Sequence, residues 1–309
     1  MRRKKRGNPV HGWLVVDKGL NITSAKVVSI AKKILNAEKV GHGGTLDPSA
    51  TGVLPLAFGE ATKTVSYLME GSKKYNFTIC WGSSTDTDDA DGVVIKTSQV
   101  RPTKIEIEAC LREFTGNIKQ IPPIYSAIKV DGKRAYTLAR AKMPVDLEPR
   151  SIFVEKFQLI EVIDEDHASF AVSSGKGAYI RGLARDIAVH LGTVGHISNL
   201  RRTGVGPFLE KDAISLDKLE ELGHKGAAAD KLQPIEAVLD DIPALVLTAE
   251  EASRLRYGQP ISALKMAWRG PLDAISAGDV LCAMESGKLV ALVKMEGGKI
   301  RPFRVLNIQ

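Results

Sequence analysis

Two places in this 309-residue chain combine residue types that could do chemistry with a spacing that resists an ordinary explanation. The first is Gly41-His42-Gly43-Gly44-Thr45-Leu46-Asp47-Pro48-Ser49-Ala50-Thr51-Gly52. Pro48 pushes Asp47 away from helical geometry, and glycines on both sides let another chain or a ligand come close. An Asp-Pro pair is also an ordinary helix start, but Gly52 would end that helix within a turn. On these grounds a cap or turn and a functional carboxylate stand level. The second place is Arg181, in the first turn of a helix predicted from about Tyr179, where the positive end of the helix dipole disfavours a cation. An arginine there calls for an anion, and Lys176 adds positive charge to the region. A surface ion pair with Asp186 would be worth little. The other reading is a site that holds a carboxylate or phosphate, and Asp47 is the best candidate by character.

Other suggestive patterns fail. Gly59-Glu60-Ala61-Thr62-Lys63-Thr64 lacks the glycine that precedes the lysine of a P-loop. Gly41-His42-Gly43-Gly44 lacks the last glycine of a dinucleotide fingerprint and its strand–helix frame. Aligning Gly92 to the turn of a calcium loop puts Thr87 first and Ser98 where the bidentate glutamate belongs. Asp86, Asp88, Asp89 and Asp91 are therefore read as a polar turn, slightly ahead of a substrate-contacting loop. Cys80, Cys110 and Cys282 fit no metal or redox spacing and point to a reducing compartment.

The elements that must position these residues read as a mixture. Residues 13–16, 53–58 and 75–81 read as strands. A helix from Ser24 carries Val27, Val28, Ile30, Ala31, Ile34 and Leu35 on one face, and another carries Ile180, Leu183, Ala184, Ile187, Ala188 and Leu191, closed by Gly192. Helix is also predicted over 105–114, then a proline-rich loop at 121–125. Beyond about 240 the texture becomes short β-like runs at 245–247, 280–284, 289–295 and 302–306, separated by Gly turns. The fold class is α+β: a mixed β-sheet with flanking helices at 9–239, a small β-rich domain at 240–309, and a basic flexible tail at 1–8. That boundary implies that a chain ending near Asp240 folds by itself.

Composition supports a folded protein, with 44% hydrophobic and 26% charged residues near globular averages. Net charge is +7, most of it from Arg2, Arg3, Lys4, Lys5 and Arg6, so the folded body is nearly balanced. One basic stretch remains, Lys129, Lys133, Arg134, Arg140 and Lys142, interleaved with Tyr125 and Tyr136. That mixture suits phosphates and stacked bases, and a solvated helix face equally. The apolar run after the tail is too short for a signal segment and no stretch reaches a membrane span, so a cytoplasmic protein is expected.

Gly43-Gly44-Thr45-Leu46-Asp47-Pro48 with Thr51-Gly52-Val53-Leu54-Pro55 resembles the signature of bacterial tRNA pseudouridine synthases of the TruB family. The resemblance extends through Val16-Asp17-Lys18, Lys74-Tyr75, Thr85-Asp86-Thr87 and Gln120-Ile121-Pro122-Pro123-Ile124-Tyr125-Ser126-Ala127. It continues through Lys133-Arg134-Ala135-Tyr136, Ser174-Gly175-Lys176-Gly177-Ala178-Tyr179-Ile180-Arg181 and Leu200-Arg201-Arg202-Thr203, covering nearly all of 10–235. The C-terminal segment is similar, more weakly, to the RNA-binding PUA domain of bacterial members. Gly19 and Asn21 stand where the family often has Pro and Gly.

The resemblance implies a pseudouridine-synthase catalytic domain that isomerises uridine to pseudouridine in the T loop of tRNA, position 55, without cofactor or metal. Asp47 would be the catalytic carboxylate, with Arg181 favouring its ionised form. Tyr75 would lie against the base, near the proton removed from its carbon, with Tyr179 and the Leu200 backbone lining the pocket. His42 would occupy or support the space of the flipped base, and Asp89 and Lys18 complete the implied substrate-binding set. The implied partner is the T-arm of tRNA, with no membrane, no obligatory protein partner and a monomeric chain. A noncatalytic tRNA chaperone and a guide-RNA-dependent synthase are the rival readings.

Overall fold

The computed structural model describes residues 7–264, 276 and 278–308. The chain runs β1 (Gly12–Lys18), α1 (Ser24–Ile34), β2 (Val40–His42), β3 (Ala50–Phe58), α2 (Val65–Glu70), β4 (Lys73–Trp81), β5 (Ser83–Thr85) and β6 (Val94–Thr97). It continues through α3 (Lys104–Cys110), β7 (Gly116–Gln120), β8 (Lys129–Val130), β9 (Lys133–Arg134), α4 (Ala135–Arg140), β10 (Arg150–Val162), β11 (His167–Ser174) and α5 (Ile180–His190). Then come β12 (Gly195–Val205), β13 (Phe208–Leu209), β14 (Ile214–Ser215) and α6 (Leu216–His224). The C-terminal part holds β15 (Ala244–Val246), α7 (Ala249–Arg256), β16 (Ile261–Ser262), β17 (Val280–Glu285), β18 (Lys288–Glu296) and β19 (Lys299–Val305).

One ten-stranded sheet has the order β14-β1-β3-β12-β4-β11-β10-β7, with β2 beside β3 and β13 beside β12. It is mixed, because β12 runs parallel to β3 and antiparallel to β4. Apolar alternation along β4 and β11 meets the buried face of α5, where Ile180, Leu183, Ala184 and Ile187 pack with Phe77, Ile79 and Phe170. On the other half, Val27 and Ala31 of α1 cover Leu14, Val16, Leu54 and Leu56. Helix α3 is shorter than its predicted span: after Cys110 the chain tightens into the i→i+3 bonds Glu113 N–H to Cys110 O and Phe114 N–H to Leu111 O.

The predicted C-terminal runs form a separate five-stranded sheet, β15-β17-β18-β19-β16. It has a core of its own, with Leu245, Leu255, Leu281, Val290, Val293 and Ile300, and a second cluster that it shares with the large sheet. Trp13, Val15, Val53 and Phe208 share a cluster with Cys282, Leu289, Leu292 and Leu306. Lys63 Nζ donates to Val305 O at 2.6 Å, and Asn307 N–H to the Glu60 carboxylate at 3.0 Å. The expectation that a chain ending near Asp240 folds by itself meets this shared cluster, which joins residues too distant in sequence for local patterns to reveal. Residues 1–6 of the basic tail lie outside the described residues, and Asn8 is already tied to the body through Asn36 O and Glu38 N–H. Among the described residues no helix is long and apolar enough to cross a membrane.

Candidate active site

The site is built where three loops meet the N-terminus of α5. Asp47 stands in the loop between β2 and β3, in a turn closed by Ala50 N–H to Asp47 O at 3.1 Å, and strand β3 follows at once. The turn reading of Asp-Pro is therefore correct and the helix-cap reading is not. Ser24 fixes Leu46, its Oγ donating to Leu46 O and accepting from Leu46 N–H, both at 2.9 Å. Below the turn, Lys18 has no exposed surface. Its Nζ donates to Gly19 O (2.8 Å), Ile22 O (2.9 Å) and Pro48 O (3.2 Å), and burial pulls its pKa down to about 8. The ammonium implied for substrate contact thus points inward and holds the turn. Asn21, where family members often carry Gly, adopts φ 58°, a left-handed conformation that asparagine tolerates, and donates its N–H to Pro48 O.

Gly52 follows from the next contact. Strand β12 lies parallel to β3, with Arg202 opposite Gly52, whose φ is +101° and where a Cβ would come within 2.2 Å of Arg202 O. Only glycine permits that approach. Arg202 is 2% exposed and donates to Val53 O (2.8 Å), Thr45 O (3.3 Å) and Gly44 O (3.2 Å). Desolvation lowers its pKa, while Tyr75, facing it across β4, and Asp47 act to raise it. The neighbouring Arg201 points the other way, to Asp17 and Glu210.

Arg181 gathers the loops. Its Nη2 is 2.9 Å from Asp47 Oδ2 and donates to Tyr125 O at 2.9 Å. Its Nη1 is 3.4 Å from Asp89 Oδ2 and donates to Thr87 O at 2.7 Å. The expected cation–carboxylate pair is present, and the bland partner Asp186 instead takes Arg185. The Arg181 side chain is 7% exposed and that of Asp47 40%, so the carboxylate keeps a face toward solvent and any ligand. Gln120 frames the start of α5, accepting from Tyr179 N–H at 2.9 Å and donating to Tyr179 O at 3.0 Å.

Asp47, Asp89, Arg181 and Leu200 line one small cleft, together with Ser49, Ala90, Ile197, Ser198 and Asn199. The acidic stretch read as a polar turn is both a turn and a wall of this cleft. Tyr75, Tyr179 and His42 do not line this cleft; Tyr179 lies within electrostatic reach of Asp47 and Arg181, and Tyr75 and His42 within reach of Arg202. Burial raises the Tyr179 pKa, and burial together with Arg202 lowers that of His42, whose Nδ1 is enclosed without a hydrogen-bond partner. Lys176 pairs with Glu70 at 2.5 Å and does not join Arg181. The basic stretch projects as the β8–β9 hairpin and α4, with Lys129, Lys133, Arg134, Arg140 and Tyr136 exposed and the Arg140 guanidinium 5.6 Å from the Tyr136 ring centre. Among the described residues no group of three His, Cys, Asp or Glu side chains is placed to hold a metal ion. The sequence reading passed over Arg202, Ser49 and Asn199 as site components. Arg202 carried a signal in its motif, but side-chain direction along β12 could not be told before that strand was recognised.

Residues 32–180 match the model of the TruB family pseudouridylate synthase (N terminal domain), and residues 181–241 that of the tRNA pseudouridylate synthase B C-terminal domain. The chain is 53% identical over 308 residues to tRNA pseudouridine synthase B of Rhodospirillum rubrum, covering 100% of both chains. It is 51% identical over 305 residues to the protein of that name from Gluconacetobacter diazotrophicus, covering 98% of this chain and 100% of that one. Among solved structures it resembles a chain of the "Structure of H/ACA RNP bound to a substrate RNA containing 2'-deoxyuridine" (TM-score 0.74, 25% identity, covering 100% of this chain and 92% of that one). A chain of the "Crystal Structure of a Cbf5-Nop10-Gar1 Complex" is similar at TM-score 0.72 and 29% identity, covering 97% and 84%. Together these matches define a pseudouridine synthase of mixed α+β fold. The full-length identities go further: the chain belongs to the TruB family of pseudouridylate synthases.

Proposed function

We propose that the chain converts uridine to pseudouridine in the T loop of tRNA, at position 55, with Asp47 as the catalytic carboxylate and no cofactor. The observation that carries this reading is the Asp47 carboxylate held 2.9 Å from the Arg181 guanidinium at the mouth of a cleft lined by Leu200. The relatives' shared name, tRNA pseudouridine synthase B, supports tRNA as the substrate. Arg181 favours an ionised, correctly aimed carboxylate. Asp47 attacks the ribose or the base, or initiates glycal formation. The uracil N-glycosidic bond breaks, the base rotates and a bond forms from its carbon to the ribose; the proton displaced from that carbon leaves toward the Tyr75 side, the freed ring nitrogen takes up a proton, and Asp47 is released as the carboxylate. A base inside a folded loop must be flipped out to reach this cleft. Tyr75 and Tyr179 offer stacking surface and the Leu200 backbone offers edge hydrogen bonds, with His42 supporting the vacated space and Asp89 the far wall. Lys18 acts from beneath, through Pro48.

The exposed hairpin at 129–142 grips phosphates, and 240–309 serves as a PUA-like RNA-binding unit. The chain acts as a monomer in the cytoplasm without an obligatory protein partner. The test is incubation of the purified chain with an unmodified tRNA transcript, followed by chemical mapping of pseudouridine. Product in the T loop with no added RNA or protein is expected. Binding without product would overturn the enzymatic reading in favour of a chaperone, and product only with an added guide RNA would favour the mode suggested by likeness to the H/ACA chain.

A further inference from the structure

Four residues after Arg181, on the same face of α5, Arg185 makes a second set of contacts that parallels the first. Its Nη1 is 2.9 Å from Asp88 Oδ2, its Nε donates to Asp186 Oδ1 at 3.0 Å, and its Nη2 donates to Ile121 O at 2.6 Å. Two of the three segments held by Arg181, the acidic turn and the proline-rich loop, are thus held again by Arg185 one turn on, and the Asp47 loop by Arg181 alone of the two. In the acidic turn Arg181 takes Thr87 O and Asp89, and Arg185 takes Asp88 between them. In the proline-rich loop Arg181 takes Tyr125 O at one end and Arg185 takes Ile121 O at the other.

The acidic turn is anchored at Asp88, whose φ of +60° is a left-handed conformation that aspartate, like asparagine at Asn21, tolerates. Its carbonyl accepts from Ile197 N–H at 3.1 Å, tying the turn to β12 three residues before Leu200. Asp89 is locked within the turn by Thr87 Oγ1 at 2.6 Å and Asp91 N–H at 3.2 Å. The Asp89 carboxylate therefore moves with the turn as a body, and what registers that body on α5 beyond Arg181 itself is the Arg185–Asp88 pair.

We propose that Arg185 is a positioning residue for the isomerisation: through Asp88 it sets the turn that brings Asp89 to Arg181, and thereby aims the guanidinium that holds Asp47. The inference rests on Asp47 being the catalytic carboxylate. The Arg185 side chain is 27% exposed and that of Asp88 13%, so loss of one partner leaves the other partly buried and unpaired, and the thermal midpoint is read beside the rate to separate stability from positioning.

The test is single-turnover conversion of an unmodified tRNA transcript at saturating enzyme, with tRNA affinity and thermal midpoint measured alongside. Arg185→Met and Asp88→Asn are each expected to slow conversion about tenfold or more, with affinity within about twofold of wild type. The double variant should be no slower than the worse single one, because both changes break the same link. Arg185→Lys should recover part of the rate, since an ammonium can hold Asp88 but cannot fork to Asp186 and Ile121 O as well. If Arg185→Met fails to fold, Asp88→Asn and Arg185→Lys decide. Full-rate Asp88→Asn and Arg185→Lys enzymes, or effects that multiply in the double variant, would overturn the proposal. Asp47→Asn run in parallel separates the two failures: if it converts RNA, the catalytic assignment itself is wrong.

Discussion

The two sheets of this molecule are built on opposite terms. The large sheet encloses charge: Lys18, Asp89, Arg181 and Arg202 are buried beside β1, β12 and α5, the three cations donating to carbonyls or carboxylates and Asp89 accepting from Thr87 Oγ1, Asp91 N–H and Arg181. The C-terminal sheet encloses none among the described residues. Its core is Leu245, Leu255, Leu281, Val290, Val293 and Ile300. Buried charge is costly unless held by well-placed partners, so the large sheet gives up stability for a fixed polar geometry, and its purpose is chemical. The small sheet has no such cost, and through Leu289, Leu292 and Leu306 it covers the apolar back of the large one.

Removal of the C-terminal sheet breaks the comparison most severely. A chain ending at Asp240 uncovers Trp13, Val15 and Val53, and at about 1.5–3 kcal/mol per large apolar side chain the loss is roughly 5 kcal/mol or more, comparable to the whole stability of many domains. Loss of a cooperative melt is expected. A truncated chain that melts cooperatively near the wild-type midpoint would show the two cores to be independent.

On the polar side, Arg181→Met should slow single-turnover conversion about a hundredfold or more, because one side chain orients Asp47, Asp89, Thr87 and Tyr125 together. Arg181→Lys should recover only part, since an ammonium cannot serve four acceptors from a planar fork. A rate loss explained entirely by weaker tRNA binding would reassign Arg181 to RNA contact.

The pair at the centre of the site was legible because two local oddities pointed at each other: a carboxylate held extended by Pro48, and an arginine in the first turn of a helix. The apolar faces of α1 and α5 were legible through helical spacing. Strand β12 was not, because Arg201 and Arg202 in mid-strand argue against a central position. Val53 O of the parallel neighbour β3, with Gly44 O and Thr45 O of the loop before it, supplies the carbonyls that let Arg202 be buried. Strand β10 was hidden by two register shifts against β11, which interrupt its alternation. The Asp88–Arg185 link and the core shared between the sheets depend on tertiary contacts that no local pattern encodes.

The smallest expected effect concerns His42. Its folded-state pKa lies below the ordinary value, because burial, and then Arg202, disfavour the imidazolium. As pH falls below about 6.5 the unfolded chain takes up this proton before the folded one, so His42 contributes stability that is complete above that pH and is lost on acidification through the folded pKa. Thermal midpoints across that window should decline less steeply for His42→Gln than for wild type. Parallel declines would show that His42 does not carry the linkage.

Asp47→Asn keeps the shape of the carboxylate and removes its charge and nucleophilicity. Single-turnover conversion of an unmodified tRNA transcript by saturating Asp47→Asn enzyme, with folding and tRNA affinity checked in the same preparation, tests the assignment directly. The expected result is a rate at least about a thousandfold below wild type with a near-native melt and near-native affinity. Conversion above a tenth of the wild-type rate would contradict the assignment of Asp47 as the catalytic carboxylate.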